Sequence, residues 1–202
     1  MTWFAGASHS LLIERPEGVA QAIAGFLAET SEGDLEAEVV VFGGTPGGIA
    51  AAMAAARLGR RVLLIEPQAH LGGMMSSGLG KSDIEHRELI GGLFREFTAH
   101  VKEDYVRKYG ADHDNVRLCQ DGYYYEPSVA ERVLDSMLAS TPRLTVLRDW
   151  RLAGAQVDAQ QLTAISIQHR KTYRQRTVRG RVFVDATYEG DLFAAAGAGF
   201  RL

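Results

Sequence analysis

Hydrophobic and polar positions change their period several times along this chain. The densest change falls within residues 39–66, VVVFGGTPGGIAAAMAAARLGRRVLLIE. Val39–Phe42 is apolar without alternation, the pattern of a strand buried on both faces of a parallel sheet. GIAAAMAAARLG reads as an alanine-rich helix closing at Gly59, and RVLLIE as a second buried strand. Two strands joined by one short helix imply a right-handed βαβ unit.

The flanking patterns predict further elements. Upstream, Glu17–Ala28 reads as a helix with Pro16 at its start and Val19, Ile23, Phe26 and Leu27 on one face. Residues 29–38 are polar and acidic and read as a linker. Downstream, the glycine- and serine-rich loop HLGGMMSSGLGKSD leads to a helix near Arg87–Tyr109. A second helix over EPSVAERVLDSMLAS starts near Pro127 or Ser128, and RLTVLRD reads as a third parallel strand. Segments near 152–157, 162–169 and 172–178 alternate and predict a three-stranded meander. RVFVDAT then returns to the core as another buried strand.

Composition narrows the class. With 202 residues, 46% of them hydrophobic, the chain suits one domain with a short appendage. A net charge of −3 supplies no global field for nucleic acid or an acidic membrane. No apolar run approaches the ~20 residues of a membrane span, and the N-terminus lacks a basic start followed by an apolar stretch. The expected setting is the cytoplasm. The single cysteine, Cys119, excludes an internal disulfide and any metal or cluster site with several cysteine ligands; it reads as a small filler residue. No metal is expected. His70, His86, His100, His113 and His169 show neither ligand-like spacing nor a paired carboxylate, so each reads as a surface or core residue. The tyrosines of DGYYYEP read as packing residues in preference to a substrate-facing wall.

The chemistry concentrates at Gly43-Gly44-Thr45-Pro46-Gly47-Gly48. In the G-x-G-x-x-G register Gly43 is the tight-turn glycine and Gly48 the helix-packing glycine, with Ala52 keeping the same contact small. The helix N-terminus then presents unpaired N–H groups and partial positive charge to a pyrophosphate. Thr45 occupies the middle glycine's place. Its Cβ should crowd the phosphate, and its hydroxyl is a candidate compensating donor. Glu66 follows Gly43 by 23 positions, close to the ~20 of the fingerprint, and is placed to accept bonds from a ribose diol and repel a 2′-phosphate. FAD or NAD fits this pattern better than NADP.

Two further stretches, EPQAHLGGMMSSGLG (66–80) and VFVDATYEGDLFAAAG (182–197), accompany the turn. Together the three blocks resemble the FAD-dependent oxidoreductase family, of glutathione-reductase-like fold, whose members include heterodisulfide-reductase-A-like proteins; the resemblance covers residues 38–202. It implies an α/β fold: a Rossmann-like FAD/NAD(P)-binding domain with a parallel sheet and an inserted antiparallel β-meander. It further implies FAD as cofactor, with Gly43, Thr45, Gly47 and Gly48 around the pyrophosphate beside Gly44 and Pro46, and Glu66 on the adenosine ribose. Leu71, Gly72, Gly73 and Met74 would form the loop that passes the phosphates toward the flavin, with Ala186 and Thr187 beside the nucleotide. Glu189 and Asp191 are candidate caps of a short final helix. One cysteine cannot supply the ~four ligands of an iron–sulfur cluster, which some relatives would suggest. No catalytic acid or base can be named, because in flavoenzymes the ring accepts the hydride and the protein orients it.

Members of this family continue past the length seen here with a substrate domain and a segment that returns to hold the flavin. The chain is therefore expected to be an N-terminal, FAD-binding portion: residues 1–28 an arm, 29–38 a linker and 39–202 the domain. A homodimer or partner chain could cover the exposed pocket, and the small-molecule substrate is unspecified. Residues 5–28 separately resemble the C-terminal tail of an α/β-hydrolase, with His9 in the place of the triad histidine. No G-x-S-x-G stretch supplies a nucleophile. Three readings stand: an FAD oxidoreductase portion moving a hydride between an organic substrate and flavin, a non-catalytic dinucleotide-binding module, and a hydrolase remnant. A reducible flavin, a bound nucleotide without flavin, or ester cleavage dependent on His9 would tell them apart.

Overall fold

Strand β1 runs from Leu35 to Phe42 and so begins within the segment expected to be a linker. The reason is tertiary. Leu35, Glu36 and Ala37 pair in parallel with Val178, Arg179 and Gly180 of a distant strand, which satisfies their backbone groups. The structure is a computed structural model and describes residues 33–199; the arm, residues 29–32 of the linker and His9 lie outside the described residues. Helix α1 (Pro46–Arg57) follows the glycine turn, and β2 (Val62–Glu66) is buried throughout. Val39–Phe42 pair in parallel with Val62–Ile65, closing the expected βαβ unit.

Next come a 3₁₀ turn at Gly73–Met75 and another at Arg87–Leu89. Helix α2 spans Gly92–Tyr109, shorter at its start than expected because the 3₁₀ turn ends at Leu89 and the extended residues Ile90 and Gly91 separate it from the helix. Helices α3 (Asp114–Leu118) and α4 (Pro127–Ala139) precede β3 (Leu144–Arg148), which pairs in parallel with β2. β4 (Trp150–Asp158) and β5 (Gln161–His169) form an antiparallel hairpin, and β6 (Gln175–Asp185) returns to β1 before α5 (Asp191–Ala195). The six strands form one sheet in the order β3-β2-β1-β6-β5-β4.

One sequence expectation needs correction here. The third meander strand and the returning core strand are a single strand, β6. Its first half is antiparallel to β5, and from Val178 onward it is parallel to β1. At Gly180 a Cβ would lie 2.8 Å from Val40 Cγ2, so the absent side chain lets β6 pass close to β1 without a break.

Alternation along β1 and β2 divides the core between the two sheet faces. Val41, Val62 and Leu64 pack beneath α1, α2 and α4 with Ile49, Met53, Phe97, Val101 and Leu134. Val40, Phe42, Leu63 and Ile65 point the other way, against Trp150, Ile165, Ile167, Val178 and Leu192. Tyr123 and Tyr125 are core residues, edge-on to Phe94 and Phe97, in agreement with the packing expectation. Cys119 is buried, its thiol donating to the Val116 carbonyl. Asp104 on α2 joins α2 to α4 through Arg132 at 2.7 Å and also meets Arg107 at 2.6 Å. The Arg132 hydrogen bond, helped by Arg107, holds its carboxyl below the usual carboxylate range. Among the described residues no helix is long and apolar enough to cross a membrane.

Candidate nucleotide-binding site

The glycine turn is shaped by close backbone contacts. Gly43 has φ +109°, and a Cβ there would lie 2.6 Å from the Ala186 carbonyl carbon and oxygen. A Cβ on Gly48 would lie 1.9 Å from Gly43 O. Both glycines are therefore required by the joint between β1, α1 and the end of β6. Gly44 is closed off as well: its missing Cβ would meet Leu71 Cδ2 at 2.2 Å, and its carbonyl accepts Gly72 N–H at 2.8 Å.

Thr45, at the middle-glycine position, is the N-cap of α1. Its Oγ1 accepts the Gly48 N–H at 3.2 Å and donates its own proton to the Ala186 carbonyl at 2.8 Å. The hydroxyl stitches α1 to the end of β6 instead of standing free as a donor to a phosphate, as the sequence suggested. Pro46 occupies the first helical turn, where its missing N–H costs nothing. Its side chain borders an apolar crevice beside Ile49, Met75 and Phe94, on the other side of the turn. Gly47 stands exposed at the mouth of the helix.

Glu66 is only 9% exposed. Oε2 accepts the Gly44 N–H and Oε1 the Gln68 N–H, each at 2.7 Å. A carboxylate has about four lone-pair sites, so capacity remains for a ligand hydroxyl. The loop that follows is held from within. Leu71 is fully buried, and Gly72 and Gly73 have φ of +99° and +49°. Ser76 donates to the Leu71 carbonyl and Ser77 to the Gly73 carbonyl.

These segments surround a cavity of about 600 Å³ at the carboxyl ends of β1, β2 and β6. Of the sequence-predicted residues, Gly43, Thr45, Glu66, Gly73, Met74 and Thr187 line it. Gly44, Gly47, Gly48, Leu71, Gly72 and Ala186 are not on its surface; Gly47 is exposed outside the lining, and the contacts of the others place them in the supporting wall. Sequence reasoning missed His70, Ser76, Ser77 and Tyr188, which also line it. All four lie inside the quoted blocks, but nothing in their spacing separates them from their neighbours. Glu189 and Asp191, expected as helix caps, line it too; the contact at the start of α5 comes from Thr187, which receives the Gly190 and Asp191 amides.

Among the described residues the lining contains three carboxylates, one imidazole, and no lysine or arginine. An anionic ligand would thus be met by backbone N–H groups and neutral donors. The histidine reading also needs correction. His70 meets Glu131 at 2.8 Å, while His86–Glu88 and His100–Glu103 are each 3.0 Å apart. Among the described residues no cluster of His, Cys, Asp and Glu is arranged to hold a metal ion.

No curated protein sequence matches the chain. Solved structures share its fold at low identity. Glycerol-3-phosphate dehydrogenase from Bacillus halodurans, complexed with FAD, is 13% identical with a TM-score of 0.55, over 88% of this chain and 39% of that one. Sdh1 of Mycobacterium smegmatis, in complex with UQ1, is 13% identical with a TM-score of 0.52, over 77% and 34%. The p-nitrophenol 4-monooxygenase PnpA of Pseudomonas putida is 16% identical with a TM-score of 0.51, over 84% and 45%. The chain spans less than half the length of each of these. The family model described as FAD dependent oxidoreductase matches residues 38–202, so with most of its length inside that model the chain belongs to the FAD-dependent oxidoreductase family.

Proposed function

We propose that residues 39–202 bind FAD in the 600 Å³ cavity and form the FAD-binding portion of an enzyme that exchanges a hydride between an organic substrate and flavin. One observation carries this reading: the cavity opens at the carboxyl ends of β1 and β6, with Gly43 and Thr45 on one side and Glu66 on another. Chain order reverses there, β2 and β3 lying on one flank of β1 and β6 on the other. Such a switch point, at the carboxyl ends of parallel strands, is where open α/β sheets bind ligands.

The residues present fit the cofactor. The cavity lies within the ~300–1,000 Å³ range of small-molecule sites. Gly47 leaves the first turn of α1 open, so its amide and the helix N-terminus would receive the diphosphate. Glu66, fixed by the Gly44 and Gln68 amides, would accept the ribose hydroxyls and disfavour a 2′-phosphate. The 71–77 loop would pass beside the phosphates through Gly73 and Met74, and Thr187 would flank the nucleotide where β6 ends, with Ala186 behind it in the wall. FAD bound there would supply the two-electron chemistry; this chain's residues bind and orient it. The arm (1–28) and a linker shortened to residues 29–34 would precede the domain, which opens with β1 at Leu35. A homodimer or partner chain would cover the cavity mouth, and the protein would work in the cytoplasm. The substrate would be a small organic molecule.

The test is to denature the purified protein and identify what it releases, then to titrate the stripped chain with FAD. The expected result is released FAD and saturable flavin uptake. Release of NADP, or no flavin uptake by folded protein, overturns the reading.

A further inference from the structure

Five hydroxyl side chains line the cavity: Thr45, Ser76, Ser77, Thr187 and Tyr188. Four of them have already spent their proton inside the protein. Thr45 donates to the Ala186 carbonyl, Ser76 to the Leu71 carbonyl and Ser77 to the Gly73 carbonyl. Thr187 donates to Asp185 Oδ1 at 2.7 Å while its lone pairs take the Gly190 and Asp191 amides, each at 2.9 Å. A hydroxyl has one proton and two lone pairs, so Thr187 is saturated.

Tyr188 differs. Its Oη accepts the Met74 N–H at 3.0 Å, and no acceptor takes its phenolic proton among the described residues. The knot around Asp185 and Thr187 fixes the backbone just before it, with the Phe193 amide closing the far side at 2.9 Å. The opposite loop is fitted to the ring: a Cβ on Gly73 would lie 2.3 Å from Tyr188 Oη. The residue is nevertheless 56% exposed, with its open side toward the cavity.

We propose that Tyr188 is a ligand-binding residue of this cavity, its phenol donating to an oxygen of the bound dinucleotide while the Met74 amide holds the phenol oxygen in place. This rests on the reading of the cavity as the FAD site. A hydroxyl that accepts a backbone N–H becomes a stronger donor in turn. With no lysine or arginine among the described residues of the lining, a neutral donor of this kind matches an anionic ligand without adding net charge.

The full chain, stripped of ligand, is titrated with FAD by flavin fluorescence as the native protein, Tyr188→Phe and Gly73→Ala. Loss of the donated hydrogen bond predicts a Kd about five- to tenfold higher for Tyr188→Phe; the exposed bond from the Met74 amide goes with it, so the thermal midpoint of the ligand-free chain is expected to fall slightly. Gly73→Ala keeps the phenol but pushes it off the Met74 amide, and is expected to weaken FAD in the same direction. It carries the test where Tyr188→Phe melts early. Native-like Kd values in both variants overturn the assignment of Tyr188 and leave the FAD reading standing. A native chain that takes up no FAD overturns both.

Discussion

Two glycine-rich segments face the same cavity, and their glycines answer to different constraints. In the turn at 43–48, main chain excludes a side chain at both ends, Ala186 closing on Gly43 and Gly43 O lying 1.9 Å from a would-be Cβ on Gly48, while Leu71 and Glu66 close on Gly44 between them. In the loop at 71–77 the glycines are set by positive φ, and what crowds them is side chain, Leu134 Cδ1 and Ser76 at Gly72 and Tyr188 Oη at Gly73. The first segment is a joint that cannot yield without moving α1 on the sheet. The second is a strap whose position the neighbouring side chains decide, and side chains can rotate. A dinucleotide site built this way has one rigid wall and one adjustable wall.

The largest expected effect breaks the rigid wall. Gly48→Ala puts a methyl into the Gly43 carbonyl and should cost about 3 kcal/mol in urea unfolding, with FAD uptake lost. Gly72→Ala meets Leu134 Cδ1, which can turn aside, and Ser76 Oγ at 2.9 Å, which must give by a few tenths of an ångström; with the strain of φ +99° the cost should be about 1–2 kcal/mol. If Gly72→Ala proves the costlier of the two, the contrast between joint and strap is wrong.

A smaller effect sharpens the same contrast at Thr45. Thr45→Val keeps the shape but removes the cap on Gly48 N–H and the bond to Ala186 O, a loss of about 1–2 kcal/mol. Thr45→Ser retains both bonds and should stay within a few tenths of the native value. Equal midpoints for Val and Ser in thermal melts would show that the hydroxyl does not hold the joint together.

Local pattern exposed the elements and hid their pairing. The βαβ unit and helices α1, α2 and α4 were legible because each buries a face whose period lies in its own residues. Leu35–Glu38 was not, since its strand character comes from partners about 140 positions away in β6. The fusion of two expected strands into β6 depends on Gly180 lying against Val40, again a distant contact. At the site, the residue types around the turn were readable, but their employment was not. Thr45 spends its proton on Ala186, and Glu66 spends part of its acceptor capacity on Gly44 and Gln68. Tyr188 escaped notice because its significance comes from the committed protons of the other four hydroxyls.

The finest test uses the one glycine of the turn that the protein itself does not require. Around Gly47 the nearest atom to a would-be Cβ is Thr45 Oγ1 at 3.9 Å, ordinary contact, and its φ is not positive. Gly43, Gly44 and Gly48 each have a steric reason inside the fold; Gly47 has none. Within a helix alanine is favoured over glycine, so Gly47→Ala should stabilise the ligand-free chain by a few tenths to about 1 kcal/mol. If a diphosphate rests against this amide, the same methyl takes space the phosphate needs, and FAD should weaken by about 1.4 kcal/mol, a tenfold rise in Kd. Thermal melting and flavin titration of one variant would then move in opposite directions. A variant that is more stable and binds FAD as tightly as the native chain would place the phosphates away from the helix mouth.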